Sequence, residues 1–431
     1  MSERRRNINP LKSLRMVGKL VDEYYEDLMK SHENGKMVAW YIGYPLVQLL
    51  QAMDVNFLVT EQYGARHAAR HEEGPLLATA ESWGISQEIC SYLRCSLACA
   101  LYKLGKVTPP PDAPRTATHM DVPDFVLCTA PVCNQEPEWY DVVREWYNVP
   151  GYMVECPHVW DESRLEYAVN YLTEELKDLV SFIEKTVGRP MDWERLQTIM
   201  AETKKASAIR AELLQLAKHI PAPIGFFDFA IAIALSYFLV GRPESTEVLL
   251  AMKDEAEERI KRGEGFINGE EKYRLFFAAM ACWPKVGWLA DKYASYGAAV
   301  ICGDYTHLTW YEDPTIIEPA KPLESLARVV AVMELNRSLE WKIENYSKLA
   351  QDFSCDGLVM HGVRTCRPWA GQHFELIDAM TRKLGVPAIY VDGDNANPQF
   401  VSEAQFDTRM QALTETIEAQ RASGMGRQLK K

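Results

Sequence analysis

The feature that most constrains this chain is an alternation between two hydrophobic periods. Short apolar runs bounded by turn residues recur at 37–42, 56–60, 124–128 and 151–155, with helical patterns between them, as at 87–104 and 138–147. The alternation returns late in the chain, with runs at 273–278, 298–302, 357–360 and 388–391. Strands separated by helices argue for βαβ units and parallel sheets. The middle is different. Leu165, Val169, Leu172, Leu176, Leu179, Ile183 and Val187 keep a 3.6-residue spacing that Gly188-Arg189-Pro190 ends. A second helix opens at Asp192, a good N-cap, and reaches about residue 218. A third runs from near Ser245 to Gly263, and another covers 10–32, closed by Asn34-Gly35. The expected layout is an N-terminal helix (1–35), a first α/β domain (36–160), a helical segment (161–263) and a second α/β domain (264–431).

Composition enters as exclusion. With 431 residues the chain can bury a sizeable core, and its net charge of −13 argues against a general nucleic-acid binder. The longest apolar stretch, 226–240, is interrupted by Asp228 and falls short of the ~20 residues that span a membrane. It reads as one buried core helix. The start, MSERRRNINPLKSL, is basic but has no apolar core of a secretory signal. A cytoplasmic protein is expected, in which the ten cysteines are free, metal-bound or catalytic rather than paired.

Open parallel sheets bind ligands beyond the carboxyl ends of their strands. Cys133, in VLCTAPVCNQ, lies just past the 124–128 run, and Cys366, in VMHGVRTCRPW, lies just past 357–360. Cys90, in GISQEICSYLR, opens a helix. No CxxC is present and no Cys/His spacing fits a zinc finger. Ligands of an iron–sulfur cluster can converge from separate loops, so spacing alone does not decide the matter. A lone cysteine is ordinarily a small buried apolar residue. That reading is taken for Cys95, Cys99, Cys128, Cys156, Cys282, Cys302 and Cys355.

At these residues the chain resembles a known family. HGVRTCRPW with the tail VPAIYVDGDNANPQFVSEAQFDTRMQALTE is similar to the C-terminal signature of the 2-hydroxyacyl-CoA dehydratase and benzoyl-CoA reductase family. ESWGISQEICSYLR, PDFVLCTAPVCNQEPEWY, PAPIGFFDFAIAIAL and EEKYRLFFAAMACWP resemble it in the same order, so the likeness covers about 36 to 418. Within the family the chain is most similar to the larger, α-type subunits of (R)-2-hydroxyacyl-CoA dehydratases such as the lactoyl-CoA and phenyllactyl-CoA enzymes.

The resemblance implies two flavodoxin-like, parallel-sheet α/β domains and one oxygen-sensitive [4Fe-4S] cluster. Cys90, Cys133 and Cys366 match its three ligands, and the fourth iron is left open. An open iron can polarise a thioester carbonyl and pass it one electron; the resulting ketyl radical expels the 2-hydroxyl, loses a β-proton and returns the electron. The chain has no G-x-x-x-x-G-K-[ST] loop, and Arg262-Gly-Glu-Gly265 is too short to be one. The resemblance therefore implies a separate ATP-dependent activator as electron donor, together with a smaller homologous β subunit and an acyl-CoA substrate. The alternatives are a benzoyl-CoA-reductase-like subunit and a non-catalytic cluster-binding scaffold.

Three positions depart from the family pattern. Thr129-Ala-Pro-Val132 stands where an Asn-rich stretch is usual, Gly43 where a Ser reaches substrate, and Tyr63 where a His follows the acidic residue kept as Glu61. Cluster positions are kept while substrate positions change, which favours family chemistry on an unfamiliar acyl group. Glu61 is the candidate catalytic group, orienting substrate or moving a proton; the alternative is a solvated strand-end carboxylate. His361 and Arg364 flank Cys366 and could tune a cluster through its sulfurs, or be ordinary strand-end polar residues. His67 and His71 read as surface histidines on one helix face. Asp392-Gly393-Asp394 reads as a structural turn, with Gly393 supplying special backbone angles.

Overall fold

The structure, a computed structural model, describes residues 6–130, 133–309 and 311–424. Eight strands form two separate four-stranded sheets, every pairing parallel. The first holds β1 (Val38–Gly43), β2 (Asn56–Val59), β3 (Phe125–Ala130) and β4 (Gly151–Glu155) in the order β2-β1-β3-β4. The second holds β5 (Tyr273–Ala278), β6 (Ala298–Gly303), β7 (Gly357–Val363) and β8 (Ala388–Gly393) in the order β6-β5-β7-β8. β1, β3, β5 and β7 are buried along their whole length, as strands covered by helices on both faces must be. Edge strands β4 and β8 are partly exposed. In each sheet the chain leaves its first strand to one side and returns to the other, which opens a crevice at the carboxyl ends.

The Leu165–Val187 helix stops where Gly188 takes φ +78°, and Asp192 caps Trp193–Leu216 by accepting from Arg195 N–H at 2.9 Å. The Pro243–Arg262 helix ends at Gly263, φ +65°. The Leu14–Leu28 helix lies against Pro243–Arg262, and Ile8 bridges to Ile267. Among the described residues no helix is long and apolar enough to cross a membrane.

Three expectations need correction. The 226–240 run is not one helix but two, Phe226–Ile231 and Ala234–Tyr237. A run so nearly apolar on every side has no amphipathic period to hold it to one axis. Its two halves pack on different partners, the first on β6 and the second on Pro243–Arg262. His67 is not on the surface. It is fully buried on the Thr60–Ala69 helix, with Nδ1 2.7 Å from Glu72 Oε2 and Nε2 3.8 Å from Cys99 Sγ, and burial lowers its pKa. His71 lies beyond that helix, exposed, at φ +59°.

Gly393 is required for space rather than for backbone angle. Its φ is not positive, but a Cβ there would lie 2.1 Å from His361 Nε2. That imidazole cannot swing away: it stacks on Phe277 and its Nδ1–H donates to Met280 O at 2.7 Å. Gly393→Ala is expected to cost about 1–3 kcal/mol in denaturant unfolding, the usual range for overfilling a packed site.

Candidate active site

A cavity with an empty volume of about 800 Å³ opens where the carboxyl ends of the two sheets face each other. Gly43 ends β1, Glu61 follows β2, Cys133 follows β3, Met280 follows β5, Tyr305 follows β6, Cys366 follows β7 and Asn395 follows β8; all line it. Cys90 completes the lining set of cysteines as N-cap of the Ser91–Lys103 helix.

The three half-buried thiols come from three separate elements and are electrostatic neighbours. Burial pushes the Cys90 thiol up to about 12, and burial with the adjacent thiols raises Cys133 and Cys366 further. The other seven cysteines are buried and line no part of this cavity. Among the described residues no three His, Cys, Asp or Glu side chains are grouped closely enough to hold a single metal ion. A cluster asks for something else: thiolates spread around a cage, with positive iron to offset the charge that burial disfavours. Three such thiols facing one cavity suit that demand.

Two side chains tie the cysteine loops together. Gln135, two residues past Cys133, accepts from Cys90 N–H at 2.8 Å and donates to Thr365 O at 3.2 Å. Asp394, fully buried, accepts from Thr365 Oγ1–H at 2.5 Å, from the N–H groups of Thr365, Ala396 and Asn397 at 3.1 Å each, and from the Ser91 hydroxyl. Ser91 adjoins Cys90 and Thr365 adjoins Cys366. Asp392 contributes none of this and pairs with Arg409 at 3.6 Å; it and Gly393 end β8 rather than forming a turn, and the segment acts structurally through Asp394.

Two carboxyls line the same cavity. Glu61, in the first turn of its helix, accepts from Gly43 N–H at 2.7 Å and from Thr60 Oγ1–H at 3.2 Å; burial pushes it up to about 7. Glu136 opens the Glu136–Tyr147 helix and accepts from Cys133 N–H at 3.1 Å. Burial, reinforced by the Glu61 carboxyl, raises it well above the usual carboxylate range. Gly43 fits between them because it has no side chain. It takes φ +83°, and a Cβ there would lie 2.7 Å from Thr129 O and 3.0 Å from Glu136 Oε2. The space a serine would need is held by Glu136.

The remaining candidates lie elsewhere. His361 is inside β7, which runs past residue 360, and burial keeps it near pKa 4 and neutral. Arg364 pairs with Glu88 at 3.2 Å and covers the Phe400 ring. Neither lines the cavity. Tyr63 is fully buried and donates to Thr116 O at 2.8 Å, so that departure does not reach the cavity either. Thr129 bonds the Tyr41 hydroxyl at 2.8 Å, whereas Pro131 and Val132 lie outside the described residues.

The sequence model of the 2-hydroxyglutaryl-CoA dehydratase D-component family matches residues 44–417. The chain belongs to that family. It is 25% identical over 423 residues to the (R)-phenyllactyl-CoA dehydratase alpha subunit of Clostridium sporogenes, covering 98% of this chain and 99% of that one. It is 26% identical over 416 residues to the (R)-2-hydroxyisocaproyl-CoA dehydratase alpha subunit of Clostridioides difficile, covering 95% and 97%. One of the benzoyl-CoA reductase subunits of Thauera aromatica is 22% identical over 408 residues, covering 92% and 93%. Gln135 and Glu136 are the residues at this site that sequence reasoning passed over. The signal available was position, since both closely follow Cys133; Asp394, read as structural, follows β8 directly.

Glu61 also has a thermodynamic signature. Its carboxyl ionises near the ordinary 4.5 when unfolded and near 7 when folded, so unfolding releases a proton between those values. The contribution of this carboxyl to stability therefore falls as pH rises across that window, by on the order of 3 kcal/mol, and is lost above it. Glu61→Gln, which cannot ionise, is expected to flatten that slope and melt higher than wild type at pH 8.

Proposed function

We propose that this chain is the iron–sulfur, α-type subunit of an (R)-2-hydroxyacyl-CoA dehydratase, a hydro-lyase that removes water from a 2-hydroxyacyl-CoA. The observation that carries the reading is the convergence of Cys90, Cys133 and Cys366 on one apolar cavity beside a buried carboxyl pair. Relatives named as dehydratase alpha subunits support it. Cys90, Cys133 and Cys366 would hold a [4Fe-4S] cluster, which when bound supplies a low-potential electron to form a substrate ketyl radical and an open iron to polarise the thioester.

The protein's own groups do the rest. The aromatic walls exclude water from a reactive radical. Glu61, fixed by Gly43 N–H, moves the proton: a departing hydroxyl must be protonated, and a carboxyl with a pKa near 7 serves as acid or base at neutral pH. The partners in this reading are a smaller homologous β subunit and an ATP-dependent activator that delivers the electron, all in the cytoplasm.

A benzoyl-CoA-reductase-like role has one specific observation in its favour, the aromatic lining of the cavity. One anaerobic assay with activator and ATP decides between them. A dehydratase forms many enoyl-CoA products per electron delivered, because the electron returns. Product in fixed proportion to electrons would overturn the dehydratase reading in favour of the reductase.

A further inference from the structure

One wall of the cavity is formed by Tyr44, Tyr237, Tyr305, Met333, Leu335 and Trp369. Two of its polar atoms are already committed. Trp369 Nε1–H donates to Asp304 Oδ2 at 2.8 Å, the Tyr237 hydroxyl donates to Gly43 O at 3.2 Å, and the Tyr305 and Trp369 rings meet edge to face at 5.9 Å. Among the described residues no Lys, Arg or His lines the cavity. Arg210 is buried near Tyr44 and Tyr305 but is not a lining residue; it donates to Thr306 O at 2.5 Å and pairs with Glu312 at 3.6 Å. The carboxyls that do line the cavity, Glu61 and Glu136, have no lining cation to offset them.

We propose that the acyl group accepted here is bulky and uncharged, an aryl-bearing acyl chain of a CoA thioester, and that acyl chains ending in a carboxylate are rejected. The inference rests on the reading of the chain as an acyl-CoA enzyme and specifies its substrate. A terminal carboxylate would be stripped of water in an apolar cavity that no lining cation serves, which is among the costliest burials a protein can make. An aryl group instead gains both apolar burial and ring–ring contact with Tyr305, Tyr237 and Trp369. A methyl group would leave most of that wall unfilled. Trp139 adds one polar feature. It lines the same cavity, is 2% exposed, and its indole N–H has no acceptor among the described residues, which leaves a donor available to an oxygen-bearing ligand.

The test compares three 2-hydroxyacyl-CoA thioesters carrying a phenyl group, a methyl group or a carboxylate at the end of the acyl chain. Both kcat/KM of the activated complex and calorimetric binding of the corresponding saturated acyl-CoAs are measured. The phenyl substrate is expected to exceed the methyl one by at least about 10-fold, and the carboxylated one to fall at least about 10-fold below methyl. Leu335→Arg, which places a cation on the wall, is expected to bring the carboxylated substrate up relative to phenyl by about 10-fold or more. If that variant does not fold, the wild-type comparison alone decides. Equal rates for all three, or preference for methyl or carboxylate, would overturn the proposed substrate class while leaving the dehydratase reading standing. Failure to bind or turn over any of the three would overturn the dehydratase reading itself.

Discussion

Cys133→Ala is expected to yield a folded protein that, reconstituted anaerobically with iron and sulfide, has lost the brown cluster absorbance and the roughly four irons per chain of wild type. Activity should fall to background. Cys133 is half-buried on a cavity wall and its thiol carries no packing burden, so its loss removes a ligand without opening a core void. The contrast is with Cys95 and Cys99. Both are buried on the Ser91–Lys103 helix, and Cys99 abuts His67 at 3.8 Å rather than the cavity. Their alanine variants should keep the cluster and lose only modest stability. Cys302 and Cys355 offer a second control, since their sulfurs lie 3.6 Å apart in the second α/β unit, buried and away from the site. Iron retained in Cys133→Ala but lost in Cys95→Ala would overturn the ligand assignment.

That contrast also shows what the sequence could and could not convey. The two parallel sheets were legible because their strands are short, mostly apolar runs bounded by turn residues; 151–155 and 273–278 coincide with β4 and β5. β3 and β7 run further than their apolar runs. Thr129 and Ala130 pair with Val154 and Glu155 in β4, and His361, Gly362 and Val363 pair with Val391, Asp392 and Gly393 in β8. Backbone pairing extends these strands through residues whose side chains do not advertise it. Cysteines at strand ends were legible for the same reason the strands were. Glu136 was not, because an acidic residue in a helix's first turn is ordinarily a solvated partner of the helix dipole. Only the fold brings it against Gly43 and Glu61, both far away in sequence. His67 was hidden by its neighbours: Arg66, Arg70 and His71 make the segment look solvated, while Tyr63, Ala68 and His67 itself turn inward.

Asp394 is where the largest stability effect is expected. Its carboxylate collects hydrogen bonds from two hydroxyls and three backbone N–H groups, all in a region closed to water. Asp394→Ala strands the N–H groups of Thr365 and Asn397 and the Thr365 hydroxyl, whereas the Ser91 hydroxyl and the Ala396 N–H keep Asn395 Oδ1 as acceptor; each buried unsatisfied donor costs about 1–3 kcal/mol, so a loss on the order of 3–5 kcal/mol is expected after partial relaxation. Asp394→Asn keeps the shape but turns an NH₂ toward N–H groups, and should recover only part of the loss. Position makes the effect functional as well. Ser91 and Thr365 each adjoin a cysteine of the site, so the carboxylate holds the Cys90 and Cys366 loops in mutual register. Gln135 supplies a second tie but cannot satisfy the donors that Asp394 leaves. The variant should therefore bind iron poorly with all ten cysteines intact, and the deficit should grow with temperature below the global melting transition as the two loops open locally. Unchanged melting and full iron content in Asp394→Ala would show that the cysteine loops are held by their own strands and that the buried carboxylate is incidental to the site.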